Sequence, residues 1–596
     1  MNIEQIRHSL AHLLAAIILE KYPGSKLGIG PTIENGFYYD FLLPSPIGQQ
    51  DLFNLENKIK ALIKRNIKFE KEEVTANQAR ELFQNQPFKL DLISELISGP
   101  ANQPITVYKT FPISHAYRQA SNLQPPNSVF TDLCAGPHVQ STKDIDPEAF
   151  KLTKIAGAYW RGSEKNQMLT RIYGVAFESK KELEDYLKLQ IELEKRDHRK
   201  IGKDLGLFVF SDLVGPGLPL YTPRGAFIRK QIQNYSNELR KEIGYQEVHT
   251  PNINKAELFK ISGHYVKYKD DMLRVVSNYT KEEYFLKPMN CPQHTQIYAS
   301  QLRSYKDLPL RIADFANLYR DERPGELSGL TRLRAFSQDD GHCFCREDQI
   351  KDEFTLVLKA IEKAMKTYKM KCYIRLSLRD ENKKEQYLGT DEIWKKSQKI
   401  LEDLLKEKKI EYIRSEGEAA FYGPKMDLIV KDSLGREWQL STIQLDFNMP
   451  SNFNLEYIGQ DGQKHTPIMI HSALVGSPER FMGVLIEHFA GVFPLWLAPT
   501  QIHILPISKT HKKYAKEIDR DLIEAGFRTE LKDEDETVGK KIREGEIQKT
   551  PYLLIVGDKE IKSKSVSVRK AGRGDIGAIK FKKFLEQVQI EVEKKK

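Results

Sequence analysis

Cysteine is scarce: five residues in a chain of 596, at 134, 291, 343, 345 and 372. So few thiols cannot build a disulfide framework, so reduced cysteines are expected, and any that works is a ligand or an acid/base group. Long apolar runs are also missing. No stretch approaches the roughly 18 residues that a membrane-spanning helix needs, and no membrane association is expected. The first residues, MNIEQIRHSLAHLL, carry acids and histidines where a secretory signal has a basic end and an apolar core. A cytoplasmic protein is expected. Internal repeats and low-complexity tracts are absent, which excludes solenoids and disordered scaffolds.

The composition is that of ordinary globular domains, with 40% hydrophobic and 29% charged residues. The length suggests three or four of them. A net charge of +10 suits a polyanionic partner such as nucleic acid, and equally suits a lysine-rich solvated surface. Residues 1–178 read as an α+β block: a helix in IRHSLAHLLAAIILEKY stopped at Pro23-Gly24, an amphipathic helix in LFNLENKIKALIKRNIKF, and strands in AGAYWRGSEKNQMLTRIYGVAF. Residues 179–203 are highly charged with helical spacing and predict a connecting helix. Residues 204–499 open with a long helix stopped near Gly244 and a strand ending at Pro251. Strand-like segments follow and imply a mostly antiparallel sheet. Residues 500–596 alternate strand and helix, which predicts a small α/β domain. The fold class expected is therefore multidomain, α+β and α/β.

Two constellations carry chemistry. In LYRDERPGELSGLTRLRAFSQDDGHCFC, Arg320 and Glu322 are two apart and would share one face of a strand. Arginine suits a phosphate and Phe336 suits a base, although strand arginines are commonly surface ion pairs. Arg480 opens an apparent helix in GSPERFMGVL. At the other end of the chain, His8, His12, Cys134 and His138 form HxxxH…CxxxH. Two imidazoles one helical turn apart, a thiol and a third imidazole meet the ligand count of a zinc site, and separate packing roles are the alternative.

A long helix with a strand ending in proline, a strand–loop–strand with RxE, and a strand–helix with GxxR, in that order, resemble the class II aminoacyl-tRNA synthetases. FLKPMNCPQHTQIY, FSQDDGHCF, AFYGPKMDL, STIQLDFNMPSNFNLEY and MIHSALVGSPERF are similar to the threonyl branch of that family, and the resemblance runs from about residue 5 to the end. It implies an N-terminal editing domain, a class II antiparallel-sheet catalytic domain and a C-terminal anticodon-binding domain. It implies a ligase that activates L-threonine with ATP and magnesium, transfers it to tRNA(Thr), and acts as a homodimer. A noncatalytic, RNA-binding relative is the competing class. Such proteins lose the ATP-gripping arginines or the metal ligands, and here all are present.

The resemblance assigns one zinc per chain to Cys291, His342 and His471. The assignment has a chemical reason. Threonine and valine are nearly isosteric, and an apolar pocket separates such a pair by only about 100-fold. A metal that takes the substrate amine and hydroxyl rejects valine more strongly. Arg320 would hold the α-phosphate, Glu322 the adenine amino group, and Phe336 and Arg480 the two faces of the base, with Arg480 also on the γ-phosphate. Gln338, Asp340, Tyr422, Gln439 and Gln444 would surround threonine and its adenylate.

Zinc cannot exclude serine, which lacks only a methyl group worth about 1–3 kcal/mol. A hydrolytic second site is therefore motivated. The resemblance places it at His8, His12, Cys134 and His138, working without metal, with Lys89 and Asp132 beside them. Asp535, Glu560 and Arg569 fall where the family reads anticodon bases. Asp535 stands where the well-known bacterial form has asparagine, and an ionised carboxylate only accepts hydrogen bonds. The chain starts at the editing block, so a form without the small β-rich domain that many members carry before it is expected.

Overall fold

The computed structural model describes residues 2–98, 104–112 and 129–596. It separates into two compact units, Met1–Glu192 and Leu193–Lys596.

In the first unit the helix Ile3–Lys21 is capped by Asn2, whose side chain accepts from the Glu4 amide. It is buried nearly all round from Ile6 to Leu19, as befits a helix with little amphipathic character. It packs with the strand Gly36–Leu42, whose Phe37, Tyr39 and Phe41 are fully buried. The helix Asp51–Ile63 covers the same core with Leu52, Leu55, Ile59 and Leu62 at helical spacing. An antiparallel sheet pairs Gly36–Leu42 with Met168–Ala176, and that strand with Phe150–Tyr159. A smaller sheet pairs Glu70–Val74, Ile105–Pro112 and Val129–Leu133.

The second unit is built on an eight-stranded sheet. In spatial order its strands are Gln246–Glu247, Leu310–Tyr319, Ala335–Cys345, Ile468–Ala473, Glu437–Asp446, Lys425–Lys431, Lys371–Leu378 and Tyr412–Glu416. Both edge pairs are parallel and every interior pair is antiparallel. The long helix Pro223–Glu242 starts with Thr222 accepting from the Gly225 amide and with proline in its first turn. It packs on the sheet with the helices Ile350–Thr367 and Pro478–His488. Residues 502–580 form a mixed five-stranded sheet, parallel over its first three strands in space and antiparallel over the last two.

Four details differ from the sequence reading. The connecting segment is two helices, Lys180–Arg196 and His198–Asp204. The break is Asp197, whose carboxylate accepts from the Arg199 amide and caps the second helix. The strand after the long helix is only Gln246–Glu247, because the Thr250 amide and hydroxyl both donate to the Asp314 carboxylate and draw the chain out of the ladder. Arg320 and Glu322 lie just beyond a strand that ends at Tyr319, so they share a turn rather than a strand face. The last domain gains a strand, Gly574–Lys580, before its final helix.

Candidate functional site

Strand alternation builds the first site. On Ala335–Cys345, Phe336, Gln338, Asp340 and His342 share one face, and Asp339, Gly341 and Cys343 the other. The register sets His342 opposite His471, and His471 opposite Gln444. A row of Gln444, His471 and His342 thus crosses three central strands. Cys291 opens the helix Cys291–Ala299 and joins the row from outside the sheet. The ligand atoms of Cys291, His342 and His471 lie within 4.8 Å of one another, and all three side chains are buried.

Each imidazole of the row is held from behind. His471 Nε2 lies 3.1 Å from an oxygen of buried Asp446, and His342 Nδ1 lies 2.7 Å from His294 Nδ1. That leaves His471 Nδ1 and His342 Nε2 facing each other at 3.0 Å. A carboxylate behind a histidine is the usual support of a metal ligand. Burial pushes the Cys291 thiol up and holds His342 down, so without a cation these two are a neutral thiol and a neutral ring. One thiolate and two neutral imidazoles converging on one point fit a zinc ion with an open position. Tyr422 stacks on His471 and its hydroxyl donates to Gln444. Asp340 lies 3.6 Å from His342, and burial, reinforced by Asp314 and Asp339, pushes its carboxyl up to about 8. A cationic partner would bring it down again.

The second part of this site is a pair of cavities of about 500 and 460 Å³ that share Arg320, Glu322 and Arg332. The smaller is also lined by Phe336, Trp438, Ser477 and Arg480. Arg320 lies 5.1 Å from the Phe336 ring. Burial lowers both Arg320 and Arg480 from the ordinary guanidinium value, and neither forms an ion pair among the described residues. The Nε of Arg480 is buried without a hydrogen-bond partner. Two cations without an ion pair in one hollow suit an anion. Arg332, by contrast, pairs with Glu322 and Glu326. Gln439 is set apart from the row: it donates to Asp427 and accepts from Arg375, and Thr442 links that network to Gln444.

In the first unit, His8 and His12 project from the helix Ile3–Lys21 toward the chain after the strand Val129–Leu133. His8 Nε2 and His138 Nε2 flank the Cys134 sulfur at 3.2 and 3.4 Å, and the four donor atoms of the tetrad lie within 4.8 Å. The Lys89 ammonium lies 2.7 Å from one oxygen of buried Asp132, and the Tyr39 hydroxyl donates to the other at 2.5 Å. His12 Nε2 stands 3.7 Å from the same carboxylate, and its Nδ1 is buried without a partner. Burial lowers the three histidines and pushes the Cys134 thiol up to about 12. The rings are therefore neutral proton acceptors. A cavity of about 460 Å³ opens on His8, His12, Lys89, Asp132 and Cys134.

The three C-terminal residues do not converge through any contact. Asp535 pairs with Lys509, Arg569 donates to Glu546, and Glu560 accepts from the Gly557 amide as a helix cap. Sequence reasoning missed His264, His294, Asp446, Lys425 and Tyr39. His264 Nε2 lies 3.6 Å from the Cys291 sulfur, and burial holds it down near 3. Lys425 pairs with buried Asp427 at 2.8 Å. His294 could have been found, since it lies three residues after Cys291 and hence on the same helix face. The others have no local signal.

Comparison with known families agrees with this geometry. The class II tRNA synthetase core domain (G, H, P, S and T) matches residues 274–489, and the anticodon-binding domain matches residues 501–591. The sheet, the two arginines of the hollow and these matches place the chain among the class II aminoacyl-tRNA synthetases. The threonyl and alanyl tRNA synthetase second additional domain matches residues 116–173. A threonine–tRNA ligase of Porphyromonas gingivalis is 45% identical over 592 residues, covering 98% of this chain and 87% of its own. Threonine–tRNA ligases of Bacteroides fragilis and Gloeobacter violaceus are 47% and 43% identical, with 88% and 93% of their lengths covered. A solved structure of the RNA-binding domain of threonyl-tRNA synthetase from Cryptosporidium parvum is 36% identical with a TM-score of 0.62, covering 66% of this chain and 98% of its own. The chain belongs to the threonine–tRNA ligase family, enzymes that join threonine to tRNA. Among the described residues, no helix is long and apolar enough to cross a membrane.

Proposed function

We propose that this chain activates threonine at the His342–His471 row, transfers it to tRNA(Thr), and hydrolyses mischarged seryl-tRNA at the His8–Cys134 tetrad. The observation that carries the first part is the convergence of one buried thiol and two buried imidazoles in a unit that also holds two half-buried arginines without an ion pair among the described residues. Cys291, His342 and His471 would hold one zinc ion per chain. When bound, it supplies a Lewis acid that takes the amine and hydroxyl of threonine and so tells it from valine. Asp340 faces the ammonium of the substrate, and Tyr422 and Gln444 close the pocket. Arg320 neutralises the α-phosphate as carboxylate attack develops negative charge there. Arg480 holds the γ-phosphate, Phe336 stacks on adenine, Glu322 accepts from its amino group, and magnesium accompanies the phosphates. Gln338 and Gln439 complete the surroundings of the adenylate.

In editing, His8 or His12 removes a proton from water, and Lys89, fixed by Asp132, steadies the ester or its oxyanion. The tetrad does this without metal. Asp535, Glu560 and Arg569 face the anticodon. The enzyme works in the cytoplasm as a homodimer, for which the exposed Val209, Phe210, Leu213 and Leu220 beside the long helix offer an apolar face.

The test is ATP–pyrophosphate exchange with threonine and valine, together with elemental analysis. Threonine-dependent exchange and one zinc per chain, lost in Cys291→Ala, are expected. No exchange from folded, zinc-loaded protein would falsify the ligase mechanism. Two zinc ions per chain would overturn the metal-free reading of the tetrad.

A further inference from the structure

Behind the metal row, on the strand face turned away from the pocket, lies an arginine that touches neither cavity. Arg240, in the last turn of the long helix, is 3% exposed. Its guanidinium donates four hydrogen bonds. Nε reaches the Asp339 carboxylate at 3.1 Å and Nη2 the Asp339 carbonyl at 3.3 Å. Nη1 reaches the Ser472 hydroxyl at 2.6 Å and Nη2 the Ser472 carbonyl at 2.7 Å. The other oxygen of Asp339 accepts from the Leu474 and Val475 amides at 2.7 and 3.1 Å, where the chain leaves the strand Ile468–Ala473.

These partners are chosen by position. Ser472 pairs with Gly341, and the next rung of the ladder is His342 with His471. Arg240 therefore grips both strands one rung from the two imidazoles. Gly341 makes room for it: a Cβ there would stand 2.1 Å from Arg240 Nη1. A slip of one residue in this ladder would turn His342 or His471 to the helix side and separate the ligands.

We infer that Arg240, with Asp339 and Ser472, is a positioning cluster that fixes the register of the His342–His471 pair and so sets how tightly the metal is held. The inference rests on the zinc reading above. It adds three residues that touch neither metal nor substrate. The planar fork of arginine matters here, because four acceptors on two strands must be met at once and an ammonium cannot span them.

The experiment uses the full-length protein loaded with zinc. Zinc content and the rate of zinc release to excess chromogenic chelator are measured for wild type, Arg240→Lys and Ser472→Ala, with thermal midpoints alongside. Arg240→Lys is expected to release zinc about 10- to 100-fold faster, as outer-sphere changes commonly do. Ser472→Ala removes one acceptor while the carbonyl remains, and is expected to release it about fivefold faster, the worth of one hydrogen bond. It carries the test if Arg240→Lys does not fold. Threonine KM should rise in step with release, and exchange with valine should gain relative to threonine. A merely structural role would lower the thermal midpoint and leave release unchanged. Zinc-loaded wild type with both folded variants releasing at its rate overturns this inference alone. Wild type without zinc overturns it together with the zinc reading.

Discussion

Replacing Asp446 by asparagine keeps size and shape and changes one atom behind His471. The carboxylate does two jobs in the structure. One oxygen accepts from the Asn448 and Met449 amides at 2.7 and 2.9 Å, and the other faces His471 Nε2 at 3.1 Å. An amide cannot do both. If its nitrogen turns to His471, it presents a donor to Nε2 and favours the tautomer with a proton on Nδ1, the atom that faces the metal. If its nitrogen turns to the helix, two backbone donors meet a third donor in a buried place. Either arrangement loses a charge-assisted hydrogen bond. Losing such an outer partner weakens metal binding by about 10- to 100-fold, or about 1.4–2.8 kcal/mol. Competition with a chelator of known affinity measures this directly. The selectivity of exchange for threonine over valine should then fall toward the roughly 100-fold that shape alone supplies. Folded Asp446→Asn with wild-type zinc affinity would refute the claim that this carboxylate supports a metal ligand.

Three other outcomes are expected. Arg480→Ala should lower kcat/KM for ATP by about 10²- to 10³-fold, as loss of a charge-stabilising donor does, and leave zinc content unchanged; an unchanged ATP dependence would remove Arg480 from the phosphates. Lys89→Ala should slow hydrolysis of seryl-tRNA by at least about 10²-fold and leave threonine-dependent exchange intact; unaltered hydrolysis would move the editing chemistry elsewhere. His503 is fully buried, and burial holds it down near 4 in spite of Glu530 at 3.0 Å. The unfolded chain then takes up its proton first on acidification. Stability present above about pH 6.5 is lost as the pH falls toward 4, by up to about 3 kcal/mol. Melting the protein across that range should show a shallower acid decline for His503→Gln, and parallel curves would disprove the linkage.

Local signals made much of the fold legible. The helix Ile3–Lys21 announces itself by an asparagine cap, an apolar body and Pro23-Gly24, and the long helix by Thr222-Pro223 at its start. The strands Ala335–Cys345 and Ile468–Ala473 fall in the strand-like segments of the middle block, the second an apolar run and the first a strand with a polar middle, SQDDGH. In two of the four departures, a side chain had taken the place of a backbone partner. Asp197 breaks a helix that charge periodicity would continue, and Asp314 ends a strand that β-propensity would extend to Pro251. Neither contact has a signature in residue type alone, because an aspartate reads the same whether its partner is water or an amide.

Alone, the sequence determined which chemistries are available: few thiols, so a ligand rather than a bridge; two separated His/Cys sets; arginines flanking an aromatic; and a family pattern long enough to assign them roles. Only the tertiary structure decided what those groups meet. It put His342 beside His471 through strand register, drew Cys291 to them, and left Arg320 and Arg480 half-buried without an ion pair among the described residues while pairing Arg332. It also set Asp446, His294 and Arg240 behind the row. The reason is physical. Residue type fixes donors, acceptors and charge, but whether a group is solvated, paired or left to bind a ligand depends on neighbours that lie far away along the chain.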